Sequence, residues 1–137
     1  MAKPPPTGPS PPTGASSPPT SQLTAKPAPT PATVTIAAGT SLSPSLDLTT
    51  GAVVMLIGPA NWGYIRNITF QVSIDNVAFY DLFDNTGFEV VRPVVPQAAV
   101  ELVSSLTQSA MYLKIRSGRR DDPLAVDADS IFTLVLA

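Results

Sequence analysis

The sequence contains no cysteine and no histidine, and each absence excludes a class of site. Without cysteine there is neither a disulfide bond nor a thiolate metal site, and without histidine the commonest general base and metal ligand are missing. The chain has only three lysines and no P-loop, GxGxxG or GxSxG motif. We therefore expect a protein that is not an enzyme, with no catalytic residue, no metal and no cofactor.

Charged residues are also scarce, at 13% of the chain, and the net charge is −2. A nucleic-acid-binding protein usually presents a basic face, so we expect no nucleic-acid partner. A freely soluble monomer normally carries more surface charge. The low charge and the 44% hydrophobic content therefore favour a subunit that buries surface against its neighbours, with a simple low-charge soluble domain as the alternative.

The sequence has no apolar run close to the ~20 residues that a membrane-spanning helix needs, so we expect no membrane association. The first residues also lack the apolar stretch of a secretory signal. We expect a protein that is made in a cytoplasm and stays there or leaves by lysis.

Proline is abundant but unevenly distributed, and its distribution divides the chain. Residues 1–32 contain eleven of the sixteen prolines and no aromatic residue. Proline fixes φ and lacks an N–H donor, so this stretch predicts an extended polyproline II arm rather than helix or sheet. A solvated, disordered tail is the alternative, and composition alone favours it. From residue 33 to residue 137 the composition is that of a globular domain of normal size.

Residues 65–82 carry the clearest pattern in this domain and predict a β-hairpin. Apolar residues alternate with polar ones along the first strand, which places one face in a core and the other in water. The predicted inward residues are Ile68, Phe70, Val72 and Ile74. Asp75 and Asn76 form the predicted turn, because both residue types tolerate positive φ.

Short strand patterns recur about every ten residues along the rest of the domain. They fall at residues 33–37, 46–49, 52–57, 88–91, 111–117 and 131–136, while residues 93–96 predict a loop or edge strand and residues 98–106 fit strand or helix, with strand favoured. In residues 111–117 the pattern places Met111, Leu113 and Ile115 inward. The spacing predicts an all-β protein, an antiparallel β-sandwich or jelly-roll-like domain preceded by the extended arm.

Two loops contain the residue types that most often form contacts between subunits. Trp62 and Tyr64 lie in a loop bounded by glycine and proline, where aromatic residues anchor interfaces, stack on sugars or plug the end of a sandwich. The densest charge cluster follows at residues 116–122, where arginine can pair with carboxylates of a neighbour or simply be solvated. The candidate subunit-contact residues are Trp62, Tyr64, Arg116, Arg119, Arg120, Asp121 and Asp122.

The acidic residues at 81–87 are a weaker candidate for a metal site. Residues 81–87 combine acidic side chains with a glycine, which faintly resembles a calcium-binding loop but lacks the acidic residue that closes an EF-hand. An ordinary turn is the favoured interpretation, because aspartate commonly caps turns through local hydrogen bonds.

The patterns at residues 68–75, 79–82 and 112–118 resemble those of small all-β virion proteins of tailed bacteriophages. Discoidin-type and carbohydrate-binding sandwiches share the same succession of strands and turns, but they usually carry disulfides or an aromatic ligand platform. The phage resemblance implies a capsid decoration (cement) protein that sits on the virion surface as a homotrimer. Its partners would be the major capsid protein or other virion proteins, contacted by the arm and the β-domain. A tail, neck or head-fibre component that binds a receptor or glycan is the alternative.

Overall fold

The computed structural model describes residues 2–5 and 28–137, and it contains almost only β-structure. The predicted extended arm falls mainly on residues 6–27 and therefore lies outside the described residues. Ten strands are present in the described part: β1 Thr30–Ile36, β2 Leu46–Asp47, β3 Val53–Ile57, β4 Arg66–Ser73, β5 Tyr80–Asp81, β6 Arg92–Val94, β7 Ala99–Glu101, β8 Tyr112–Arg119, β9 Asp122–Pro123 and β10 Ser130–Leu136.

The strands form two antiparallel sheets. Sheet A has the order β1-β10-β3-β7 and sheet B the order β2-β8-β4-β5, with β6 also paired to β4 and β9 also paired to β8. If β5 and β6 are counted as one interrupted strand and β9 is left out, eight strands remain. Renumbered 1 to 8 along the chain, they have the order 1-8-3-6 in sheet A and 2-7-4-5 in sheet B. This is the strand order of a jelly roll, so the all-β sandwich prediction is confirmed.

The core lies between the two sheets. Sheet A contributes the fully buried Phe132 and Leu134, and sheet B contributes Phe70 and Ile115. Inward and outward residues alternate along each strand because successive side chains point to opposite faces. Burial of this apolar surface is the main term that stabilises the fold.

The predicted hairpin at 65–82 forms, but its turn is longer than two residues. The last strand pairs are Val72 with Tyr80 and Gln71 with Asp81, so residues 74–79 form the connection. Asn76 has a φ of 62°, as the turn prediction required. The prediction for Ile74 is wrong, because its side chain is 74% exposed in the connection rather than buried.

Most of the other strand predictions hold with shifted limits, and one is wrong. The run at 52–57 becomes β3, which lies inside sheet A between β10 and β7. Residues 88–91 are not a strand, since they contribute only a single bridge between Glu89 and Phe83. The ambiguous segment 98–106 contains both a strand, β7, and a short 3₁₀ helix, Ser104–Leu106. Met111, predicted inward, is 40% exposed.

The first strand reaches into the proline-rich segment. Thr30, Pro31 and Ala32 pair with β10, opposite Leu136, Val135 and Leu134. The folded domain therefore begins about three residues before the compositional boundary at residue 33. Strand β1 is at the edge of sheet A, so the proline-rich segment joins the sandwich at a sheet edge.

Candidate functional site

The charged segment at 117–123 is not an irregular loop but a short hairpin formed by β8 and β9. Gly118 pairs with Pro123 and Arg119 with Asp122. Gly118 has a φ of 87°, and a Cβ there would lie 2.4 Å from the carbonyl oxygen of Asp122. Glycine is the residue that permits both this backbone conformation and this close approach. We call residues 117–124 the charged hairpin.

Trp62 belongs to the loop 58–64, and its buried side chain closes one end of the sandwich. Its Nε1 donates a hydrogen bond of 2.9 Å to Ser130 Oγ, and its ring meets Phe132 edge to face with centroids 5.2 Å apart. The Arg66 guanidinium covers the indole at 4.9 Å. Trp62 therefore plugs the sandwich and offers little surface to a partner.

Tyr64 differs from Trp62 because 65% of its surface is exposed. Its hydroxyl accepts a hydrogen bond of 2.9 Å from Arg66 Nη2, which holds the ring at the surface. A groove of about 250 Å³ runs between this loop and the charged hairpin. We call it the loop–hairpin groove; it is lined by Tyr64, Ile65, Arg66, Asn67, Gly118, Arg119, Asp122 and Leu124.

Arg116 points to the outer side of sheet B, as the strand pattern predicted, but it is buried rather than exposed. Its side chain is 9% accessible and its Nη2 lies 2.5 Å from Asp81 Oδ1. Its Nη1 lies 3.7 Å from Glu89 Oε2 and donates to Thr69 Oγ1 at 3.3 Å. The segment from β5 to residue 90 brings Asp81 and Glu89 over the strand and covers the guanidinium.

Arg120 extends this cluster to the surface. Its Nε lies 3.5 Å from Asp81 Oδ2, and its backbone N–H donates to Glu89 Oε2 at 3.1 Å. The hydrogen bond from Arg116 is the largest of the effects that hold the pKa of Asp81 below its ordinary value. Two arginines and two carboxylates thus neutralise one another, and we call these four residues the Arg116 cluster.

The structure divides the seven predicted contact residues into two groups. Trp62 and Arg116 are buried within this chain, whereas Tyr64, Arg119, Arg120, Asp121 and Asp122 are exposed around the loop–hairpin groove and the Arg116 cluster. A contact of the exposed group with another subunit stays a prediction. The sequence pattern did not identify Asp81 and Glu89 as ion-pair partners, because they come from separate segments 35 and 27 positions away from Arg116.

The turn at residues 84–87 is an ordinary aspartate-capped turn. Asp84 Oδ1 accepts hydrogen bonds from the Thr86 hydroxyl and from the backbone N–H groups of Thr86 and Phe88. These hydrogen bonds lower the pKa of Asp84. Within residues 2–5 and 28–137, no group of three or more acidic, histidine or cysteine side chains is placed to hold a metal ion.

No helix in the described residues is both long and apolar enough to span a bilayer. Comparison of the chain with protein-family models, with curated proteins and with solved structures finds no match.

Proposed function

We propose that the protein is a non-enzymatic structural component of a phage virion that decorates and stabilises the capsid. It binds the major capsid protein through the proline-rich segment at residues 1–32 and through the β-domain, as a homo-oligomer for which the resemblance favours a trimer. The observation that supports this most is the combination of a jelly-roll sandwich with a proline-rich segment that enters at the edge strand β1.

Each part of this combination suits a binding role without chemistry. Jelly rolls occur in viral capsid domains and lectins. Proline-rich segments lose little conformational freedom on binding because polyproline II is already extended. Several large apolar side chains stand in the loops of the domain, with Val77 84% and Phe88 70% exposed. Two weak contacts on one chain would reinforce each other, because binding through one raises the effective concentration of the other at the capsid.

The experiment is a binding assay with capsids that lack this protein. The full chain is compared with a variant that lacks residues 2–27, which leaves strand β1 intact. We expect the truncated chain to unfold cooperatively like the full chain but to bind capsids at least roughly a hundredfold more weakly, since avidity is lost. Equal binding of the two chains would exclude a role of the proline-rich segment.

A matched control replaces residues 2–27 by a glycine-serine linker of the same length. This control keeps the length and the absence of an apolar core but removes the polyproline preference. It should bind as weakly as the deletion variant. Failure of every form to bind capsids would exclude the proposal as a whole.

The loop–hairpin groove favours a second candidate, a tail, neck or head-fibre component that binds a receptor or glycan. Exposed tyrosine rings stack on sugars, and polar side chains such as Asn67 and Asp122 line the same groove. Trp62 is buried and is therefore not the sugar-binding aromatic. A glycan array tests this candidate with Tyr64→Ala, and Tyr80→Ala is the control because Tyr80 is equally exposed, at 65%, outside the groove.

A further inference from the structure

The outer surface of sheet A is almost uncharged. Its inward residues, such as Val34, Leu56 and Leu134, are buried in the core, so the alternate positions face outward. The strand registers align these positions in rows across the sheet. We call them the outer A face: Pro31, Thr33 and Thr35 of β1, Met55 and Ile57 of β3, Ala99 and Glu101 of β7, and Ile131, Thr133 and Val135 of β10.

Nothing in the described part of the chain buries this face. All ten of its residues keep part of their surface exposed, and Ile131 is 56% exposed. Glu101 is its single charged residue, and it lies on the edge strand β7. An antiparallel sheet with one solvated side normally alternates apolar inward residues with polar outward ones. Sheet A keeps apolar residues on both sides at β3, which is typical of a sheet covered on both faces.

Sheet B provides an internal comparison. Its outward positions on β4 and β8 are polar or charged, for example Gln71 opposite Lys114 and Thr69 opposite Arg116. The segment that carries Glu89 partly covers them. The same sandwich therefore has one outer side that carries several charges and one that is almost uncharged.

We propose that the outer A face packs against the outer A face of a second copy of this chain. The chain as a whole carries a net charge of −2, so two copies repel each other weakly and approach best through a neutral surface. The face of one sheet can pack on the face of another, and stacked sheets lie about 10 Å apart. A two-fold contact places the edge residue Glu101 away from the centre of the contact.

The size of the face predicts a weak, reversible pair. Four strands about 4.8 Å apart and three outward rows about 6.8 Å apart give roughly 400 Å² per copy, or about 800 Å² in total. This is below the roughly 1,200–2,000 Å² of stable interfaces, so the pair should dissociate readily. A depression of about 580 Å³, lined by Ile57, Ile131 and Thr133 of the face and by residues beside it that include Asp129, leaves room for a side chain of the facing copy.

This pairing depends on the chain alone and not on the proposed virion role, so its test needs no capsid. Sedimentation velocity of the full chain from about 1 to 500 µM should show reversible growth from 14.3 kDa to twice that mass. Ile131→Glu and Thr133→Glu should each weaken the pairing at least roughly tenfold, since each would bury unpaired carboxylates between the copies. The matched control Val77→Glu adds the same charge in an exposed loop on the other side and should pair like the original chain.

Circular dichroism and thermal unfolding verify that each variant is folded. A short bismaleimide cross-linker gives an independent readout, because the chain has no cysteine of its own. Thr133→Cys should yield a cross-linked pair and Val77→Cys should not. A monomer at 500 µM, or an oligomer of any size that survives Ile131→Glu and Thr133→Glu unchanged, would overturn the proposal. The homotrimer implied by the resemblance would need a different, heterologous contact, and the measured mass distinguishes the two.

Discussion

Asp81 is the main carboxylate partner of the buried Arg116 guanidinium. Its carboxylate provides the closest contact to the guanidinium, and Glu89 is more distant at 3.7 Å. Removing one partner of a largely buried ion pair leaves the other insufficiently paired. We expect Asp81→Asn to lower the free energy of unfolding at pH 7 by about 1–3 kcal/mol in urea titrations. Asp122→Asn is the control: its side chain is exposed, and the change should be within about 0.5 kcal/mol.

The same pair predicts a dependence on pH. Hydrogen bonding to Arg116 holds the pKa of Asp81 below its ordinary value of 3.8 in the folded state. A depressed folded-state pKa contributes stability above the unfolded-state pKa, and this contribution is lost as the pH falls through the folded-state pKa. The difference in unfolding free energy between the original chain and Asp81→Asn should therefore be constant from about pH 7 to 5 and shrink below about pH 4. A difference that stays constant down to about pH 2 would contradict the ion pair.

Gly118 and Gly39 have similar backbone angles but different surroundings, which makes them a matched pair. Their φ values are 87° and 80°, yet a Cβ on Gly118 meets the backbone of β9, while a Cβ on Gly39 meets nothing within 4 Å. Alanine at either site is strained at positive φ. We expect Gly118→Ala to lower the unfolding free energy by at least about 1 kcal/mol more than Gly39→Ala, because overpacking adds to strain. Equal losses in denaturant titrations would show that β9 leaves enough room for a Cβ at Gly118.

At the scale of the element, the periodic pattern in the hairpin of β4 and β5 predicts which strand residues are buried but not where the strand ends. The alternation identified Ile68 and Phe70 as buried, and the structure agrees. The pattern continues to Ile74, but the strand ends at Ser73, whose hydroxyl accepts hydrogen bonds from the backbone N–H groups of Asp75 and Asn76. Side-chain hydrogen bonds of this kind compete with strand pairing, and hydrophobic periodicity carries no information on them.

Two substitutions test where this strand ends. Ile74 is 74% exposed, so Ile74→Lys should change the unfolding free energy by no more than about 0.5 kcal/mol. Phe70 is 2% exposed in the core, and Phe70→Ala should lower it by about 3–5 kcal/mol. Chemical denaturation followed by Trp62 fluorescence measures both. A large loss for Ile74→Lys would mean that the side chain is buried, as strict alternation predicts.

The candidate site shows the same limit of sequence reasoning. Composition and turn residues located the loop with Tyr64 and the hairpin with Arg119 and Asp122, and the structure brings them together across one groove. The burial of Arg116 was not predictable, because strand alternation gives the direction of a side chain but not what covers it. Its cover comes from the segment at residues 81–90, whose position depends on tertiary contacts.

At the scale of the whole molecule, the two outer sides of the sandwich differ in charge. The outer side of sheet B contains the Arg116 cluster, in which the charges are already paired within the chain. The outer A face contains one charge in ten positions. Among the described residues, charge is therefore unevenly distributed over the two outer sides of the sandwich: the outer side of sheet B carries several charges and the outer A face carries one.

This division predicts how salt affects association of the purified chain. Raising sodium chloride from about 0.1 to 1 M shortens the Debye length from about 10 to 3 Å, which weakens any contact held by exposed charges. Pairing through the outer A face should keep its dissociation constant or tighten, because weak repulsion between two copies of net charge −2 is screened. Sedimentation equilibrium at both salt concentrations measures this, with Ile131→Glu as the control for pairing elsewhere. A dissociation constant that rises more than about threefold in high salt would mean that exposed charges hold the contact rather than the outer A face, since a hydrophobic contact is not screened.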